Sequence, residues 1–170
     1  MMKPKQIGII MGSKSDEPIA QATMDFLKEM NVPFWANIAS AHRTPDLIGE
    51  ILTADDYKDI RIIIAFAGMA AHLPGIVAAL ARPLTVIGVP IKSKYGILDS
   101  TFSMQSMPPG VVVLTVGIEA GKNAAIAACN ILAQDDSELY GKLMTFRQEM
   151  AEKVRADNER ARNTLSFDGV

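Results

Sequence analysis

Cysteine occurs once in these 170 residues, histidine twice and tryptophan once, and only 6% of the chain is aromatic. A lone Cys129 excludes an internal disulfide and a cysteine-based metal cluster. Its alanine-rich surroundings suit a small buried apolar residue. No apolar run approaches the roughly 18 residues that a membrane helix needs. A signal-peptide pattern is missing too, because Lys3 and Lys5 are followed by only a short apolar stretch before Ser13. Neither sign of charge dominates. The net charge of −2 argues against a general electrostatic grip on nucleic acid, although a small anion needs only a local site. Repeats, low-complexity tracts and linkers are also lacking. These absences predict one soluble cytoplasmic domain with no nucleic-acid and no membrane partner.

What is present alternates between strand and helix patterns. Ile7–Met11 is a short continuous apolar run, as a strand buried on both faces requires. Ser15 and Asp16 then offer N-caps, and Pro18 suits a first helical turn. Ile19, Ala22, Thr23, Phe26, Leu27 and Met30 follow at helical spacing. Further strands are predicted at Phe34–Ala39, Ile60–Ala67, Leu84–Val89 (stopped by Pro90) and Val111–Val116. Helices are predicted at Pro45–Leu52, Leu73–Leu80 and Ala120–Leu132. A longer amphipathic helix over 137–160 carries Leu139, Leu143, Phe146, Met150 and Val154 on one face, and residues 161–170 are expected to fray. Alternating β and α with apolar strands implies an α/β fold with a parallel, doubly wound sheet of flavodoxin or Rossmann type. The core spans about residues 6–133. The alanine-rich helix and the apolar face of the last one exceed what a small sheet needs to cover itself, which predicts a homo-oligomer.

Ligands in such sheets bind outside the carboxyl ends of the strands. Three of those ends carry unusual loops: Gly12-Ser13-Lys14-Ser15-Asp16, Ser40-Ala41-His42-Arg43, and the run from Ala67 to Pro74. The first supplies a glycine turn, two hydroxyls and a helix start, the ingredients of a phosphate site. It matches neither the P-loop nor the Gly-x-Gly-x-x-Gly spacing. Arg43 adds a guanidinium suited to a phosphate fork.

Both histidines end short runs of small residues behind a predicted strand. Histidine takes and gives a proton near neutrality, so His42 and His72 head the candidates for proton chemistry. Metal ligation is poorly supported, since no paired histidines stand at i, i+4. A serine hydrolase is poorly supported as well, for want of a Gly-x-Ser-x-Gly elbow. Acid–base catalysis on a small phosphorylated ligand remains.

Read together, Gly8-Ile9-Ile10-Met11-Gly12-Ser13-Lys14-Ser15-Asp16, Ser40-Ala41-His42-Arg43-Thr44-Pro45 and Ala70-Ala71-His72-Leu73-Pro74-Gly75 resemble the class I N5-carboxyaminoimidazole ribonucleotide mutases of purine biosynthesis. Val86-Ile87-Gly88-Val89-Pro90, Asp99-Ser100 with Ser103, Met107-Pro108 with Gly110, and Asn123-Ala124-Ala125 continue the match. Arg43-Thr44-Pro45 favours class I over the class II carboxylases, which use free CO2 and resemble Lys-Gly-Pro there. The resemblance implies a flavodoxin-like three-layer fold, an octamer with sites at subunit boundaries, no cofactor, and transfer of a carboxylate from the exocyclic nitrogen to C4 of the imidazole. It implies His42 as general acid and base. Ser13, Ser15, Ser40 and Arg43 would hold the 5′-phosphate and Asp16 the ribose hydroxyls, while Gly68, Ala70, Ala71, His72 and Leu73 would line the pocket around the migrating carboxylate. Gly12 and Ala41 complete the substrate-binding set.

Phe66 and Met69 stand where the family has glycine, and Ser106 where it has glutamine. The segment from Ile91 to Leu98 is about one residue short. A carboxylase using dissolved CO2 and a non-catalytic ribotide-binding module are the competing readings. Bicarbonate dependence distinguishes the first, and binding without turnover the second.

Overall fold

The computed structural model describes residues 4–165 apart from 82, 95 and 97. By internal contacts the chain divides into two compact units, one ending at Cys129 and the other beginning at Asn130. Strand β1 (Ile7–Met11) is buried along its whole length. It pairs in parallel with β2 (Phe34–Ile38) on one side and β3 (Ile62–Gly68) on the other. β4 (Thr85–Ile91) and a two-residue β5 (Leu114–Thr115) extend the sheet, giving the order β2-β1-β3-β4-β5. That is the flavodoxin-like order, whose switch point lies between β1 and β3.

The strands' continuous apolar wording follows from helices on both faces. Ile10, Ile63, Ala65, Ala67 and Val86 belong to a core shared with α2 (Pro45–Thr53), α3 (Leu73–Leu80) and Met104 of α4 (Asp99–Gln105). The alternate residues Ile7, Ile9, Ile62, Ile64 and Phe66 are also fully buried. On their side lie α1 (Glu17–Glu29) and the start of α5 (Gly121–Leu132), where the Thr23 hydroxyl donates to the Gly121 carbonyl at 2.7 Å.

Four expectations need correction. Pro90 does not end β4, which continues to Ile91. The Pro90 carbonyl accepts from Glu119 N–H at 2.8 Å. In a parallel strand a residue's N–H and C=O point to the same side, so the donor that proline lacks faces the edge beyond β5, where no ladder bond is lost. The run Val111–Val116 yields strand at only Leu114 and Thr115, which pair with Ile87 and Gly88 of β4. Helix α4 was not foreseen, since its Asp-Ser-Thr-Phe-Ser wording has little helical periodicity. The last helix, α6 (Ser137–Leu165), outruns its expected end at 160. Asp136 caps it, accepting from Leu139 N–H at 3.0 Å. Glu138 pairs with Lys142 at 2.9 Å one turn later. Of the tail expected to fray, 161–165 is helical and 166–170 lies outside the described residues. No described helix is long and apolar enough to cross a membrane.

Candidate active site

The carboxyl ends of β1, β2 and β3 open onto one cavity of about 630 Å³. Every candidate from the sequence lines it: Gly12, Ser13, Ser15, Asp16, Ser40, Ala41, His42, Arg43, Gly68, Ala70, Ala71, His72 and Leu73. The convergence follows from topology. The three strands are neighbours in the sheet, so loops far apart in the chain leave it side by side.

The first loop is built differently from a helix-terminus cradle. Ser13 is the N-cap of a single 3-10 turn that precedes α1, while Asp16 holds the N-cap position of α1 itself without a side-chain cap bond. Its hydroxyl accepts from Ser15 N–H at 3.1 Å, and its own N–H donates to Asp16 Oδ2 at 3.0 Å, a reciprocal capping box. Gly12 N–H is also engaged, donating to the Phe66 carbonyl at 3.0 Å. With these amides satisfied internally, the groups left for an anion are side chains. The Ser13 and Ser15 hydroxyls share a hydrogen bond. Asp16 is buried, and burial raises its carboxyl above the usual 3.8. The Ser13 amide, the Ser15 hydroxyl, the Gly12 amide and the charge of Arg43 oppose that rise.

Arg43 spans the first two loops. Its Nε donates to Ser40 Oγ at 3.3 Å and its Nη2 to the Gly12 carbonyl at 3.2 Å. A guanidinium has five N–H donors in a rigid fork, so this bracing leaves others for a ligand. The turn beneath is itself fixed, with Ser40 N–H donating to Thr44 Oγ1 at 2.9 Å.

The histidines meet. His42 Nε2 and His72 Nδ1 stand 2.8 Å apart, with ring centroids 4.9 Å apart and planes inclined by 66°. Two charged imidazolium rings would present protons to each other at this distance. The bond therefore holds with at most one ring charged, one nitrogen donating and the other accepting. Separate inspection of two loops 30 residues apart could not reveal this contact. His72 occupies the N-cap position of α3 yet makes no side-chain cap bond, so it acts on the cavity and not as a cap.

The third loop is strained where it departs from the resemblance. Met69 has φ 57° and Ala71 φ 46°, left-handed conformations that glycine adopts without a Cβ penalty. Met69 is thus at a position that calls for glycine, with its side chain half-exposed at the cavity wall. Phe66 is fully buried, and a Cβ on Gly121 would meet its ring at 3.5 Å. Ser106 is exposed and does not line the cavity.

A fourth loop also reaches the cavity: Ile91, Lys92, Ser93 and Lys94, directly after β4. The rule that located the other three loops applies equally to it. The reading of Pro90 as a strand terminator hid it. Among the described residues no three His, Cys, Asp or Glu side chains are grouped as a metal ion requires. Cys129 is far from this chemistry by character: burial pushes its thiol up to about 12.

A sequence profile described as AIR carboxylase matches residues 6–153. The chain is 47% identical over 156 residues to the N5-carboxyaminoimidazole ribonucleotide mutase of Methanocaldococcus jannaschii, covering 92% of this chain and 97% of that protein. It is 41% identical over 172 residues to the enzyme of the same name from Mycobacterium leprae, covering 99% and 100%. The crystal structure of Treponema denticola PurE matches with a TM-score of 0.81 and 26% identity, covering 91% of this chain and 96% of that one.

Proposed function

The chain belongs to the AIR carboxylase family, and from that premise we propose that it is an N5-carboxyaminoimidazole ribonucleotide mutase, an isomerase of purine biosynthesis acting in the cytoplasm. The observation that carries the mechanism is the histidine pair at 2.8 Å, held in the same cavity as Arg43 and the three serine hydroxyls.

The ribotide's 5′-phosphate binds to Ser13, Ser15, Ser40 and the free donors of Arg43, and its ribose hydroxyls bind to Asp16. This directs the imidazole toward His42 and the loop Gly68-Ala70-Ala71-His72-Leu73. Protonated His42 gives a proton to the carbamate nitrogen. The N–C bond then breaks, its electron pair stays on that nitrogen, and CO2 is released into the pocket. The resulting aminoimidazole is electron-rich at C4, which attacks CO2 to form a C–C bond. His42, now neutral, removes the C4 proton and returns to its starting charge. No proton is gained or lost overall, as an isomerisation demands. A wall of glycine, alanine and leucine hinders the escape of CO2, and its proximity spares the second step dilution into solvent. His72 accepts or donates across the 2.8 Å bond, so it fixes the tautomer and tilt of His42 through both half-reactions.

The active form is a homo-oligomer, with eight subunits taken from the family resemblance. The deciding experiment is ultraviolet assay of purified protein with the N5-carboxylated ribotide in bicarbonate-free buffer. Conversion to the C4-carboxylated product is expected. Turnover only of the uncarboxylated ribotide with added bicarbonate would overturn the mutase in favour of the carboxylase, and binding without turnover would favour the non-catalytic module.

A further inference from the structure

We propose that Lys92, in the loop after β4, is the residue by which this site recognises the ligand's carboxylate and so distinguishes carboxylated from uncarboxylated ribotides. The proposal rests on the mutase reading and names a specificity determinant within it.

The cavity has cationic groups at two separate places. Arg43 stands over the ends of β1 and β2, while Lys92, with Lys94 close by in the chain, lines the side formed by β4. In the sheet order β2-β1-β3-β4, the end of β4 lies two strand spacings from β1, roughly 10 Å. Among the described residues the only acid on the lining is Asp16, on the Arg43 side. A chain of net charge −2 thus presents a local cavity with positive groups at both ends. That arrangement fits an elongated ligand with two anionic groups, and a phosphate anchored at Arg43 leaves the second for Lys92.

The backbone holds Lys92 next to the loop implied to receive the carboxylate. Ile91 is the register partner of Gly68. The two strands approach so closely there that a Cβ on Gly68 would lie 3.3 Å from both Ile91 Cβ and the Ile91 carbonyl oxygen. Lys92 is therefore alongside Met69 and the start of the histidine loop. It is tethered on both sides. The Ser100 hydroxyl donates to the Ile91 carbonyl at 3.0 Å. Ser93 exchanges backbone bonds with Gly96, at 3.1 and 3.4 Å, and its hydroxyl reaches Asp99 Oδ2 at 3.3 Å. Helix α4 is bound in turn to the histidine loop, since the Ser103 hydroxyl donates to the Ala70 carbonyl. Lys92 lines the cavity and is exposed as a residue, so it can meet a carboxylate without being desolvated beforehand.

Such a group holds the carboxylate of both the N5 and the C4 isomer. Because the carboxylate loses its charge as it passes through CO2, this contact stabilises bound substrate and product more than the transition state, and so lowers KM and kcat together. The test compares wild type, Lys92→Gln and Lys92→Arg, measuring calorimetric Kd for the C4-carboxylated and uncarboxylated ribotides and kinetics on the N5-carboxylated one. Lys92→Gln is expected to weaken the carboxylated ribotide about tenfold, the scale of one charge-assisted contact, and to raise KM and kcat together, with kcat/KM nearly unchanged. Affinity for the uncarboxylated ribotide should stay as in wild type, which also reports an intact fold, and Lys92→Arg should restore most of the loss. Equal weakening of both ribotides, or of neither, overturns the proposal while a converting wild type leaves the mutase reading intact. A wild type that neither binds nor converts the carboxylated ribotides overturns that reading and this inference with it.

Discussion

Asp16 illustrates how a single residue in this site is built against its own stability. Its carboxyl is buried and its pKa raised above 3.8, chiefly by desolvation. The folded state therefore binds this proton more tightly than the unfolded state does. Ionisation costs nothing below 3.8, costs progressively more as pH rises to the raised value, and carries a constant penalty above it. Asp16→Asn keeps an acceptor for the Ser13 amide and removes the charge. It is expected to be more stable than wild type at pH 7 and to lose that advantage in acid below 3.8, while binding ribotide less well. Urea midpoints at the two pH values check this, and a variant less stable at pH 7 would show that the capping bonds outweigh desolvation. The histidines call for a different measurement. His42→Asn is expected to lower kcat by at least about 10²-fold while still binding ribotide, since asparagine cannot shuttle a proton. His72→Asn should cost less, and because it leaves His42 Nε2 without its 2.8 Å partner it should also change the shape of the pH–rate profile. A dead His72→Asn beside an active His42→Asn would reverse the assignment. The candidate side chains were legible because glycine, serine, histidine and arginine after apolar runs are chemically conspicuous. Their pairing was not, since a contact between residues 42 and 72 depends on β1 lying between β2 and β3.

Among the elements, β1 was readable from local wording alone as a continuous apolar run buried along its length, and α1 from apolar residues at helical spacing. What escaped was set by neighbours. β5 pairs with β4 only at Ile87 and Gly88, well before β4 ends at Ile91, and Pro90 is tolerated because of what faces it. The junction of α1 with α5 is likewise invisible locally. Gly121 begins α5 buried against α1, and a Cβ there would lie 2.7 Å from both the Ile19 carbonyl oxygen and Thr23 Oγ1. Neither can yield cheaply, since one is helix backbone and the other is fixed by its own 2.7 Å bond to Gly121. Gly121→Ala, which in an open helix would be stabilising, is expected here to cost about 1–3 kcal/mol by overpacking. Thermal unfolding checks it. A rise in Tm would mean that α5 can move away from α1 at little cost. Since Phe66 is the next contact of that glycine, at 3.5 Å, and its carbonyl holds Gly12, the same variant is expected to weaken ribotide binding as well.

For the molecule as a whole, two helices were expected to drive assembly, the alanine-rich α5 and the amphipathic α6, and α5 does not qualify. Ala124, Ala125 and Ala128 of α5 are completely buried within the chain, so that face is not available to another subunit. Among the described residues, apolar side chains are uncovered on α6, where Met150 and Val154 of the expected face are exposed, and also at the β5 end of the sheet. Leu98, Phe102, Val112 and Leu114 are all about half or more exposed there, on α4, its leading residue and the short strand beside it. An edge strand of two residues covers little of β4's neighbourhood, and exposed apolar residues grouped this way mark an interaction surface. This edge also carries the α4 tether of the histidine loop, through Ser103 and Ala70. Subunit contact at α4 would thus bear directly on the geometry around His72. Sedimentation at micromolar concentration is expected to show a multiple of 18.4 kDa, and a monomer would sink the proposed assembly. Phe102→Glu is expected to yield smaller species with unchanged helical content, and to lose activity in step with the loss of assembly. If it dissociates the protein and leaves turnover intact, the oligomer is real but the site is complete within one chain.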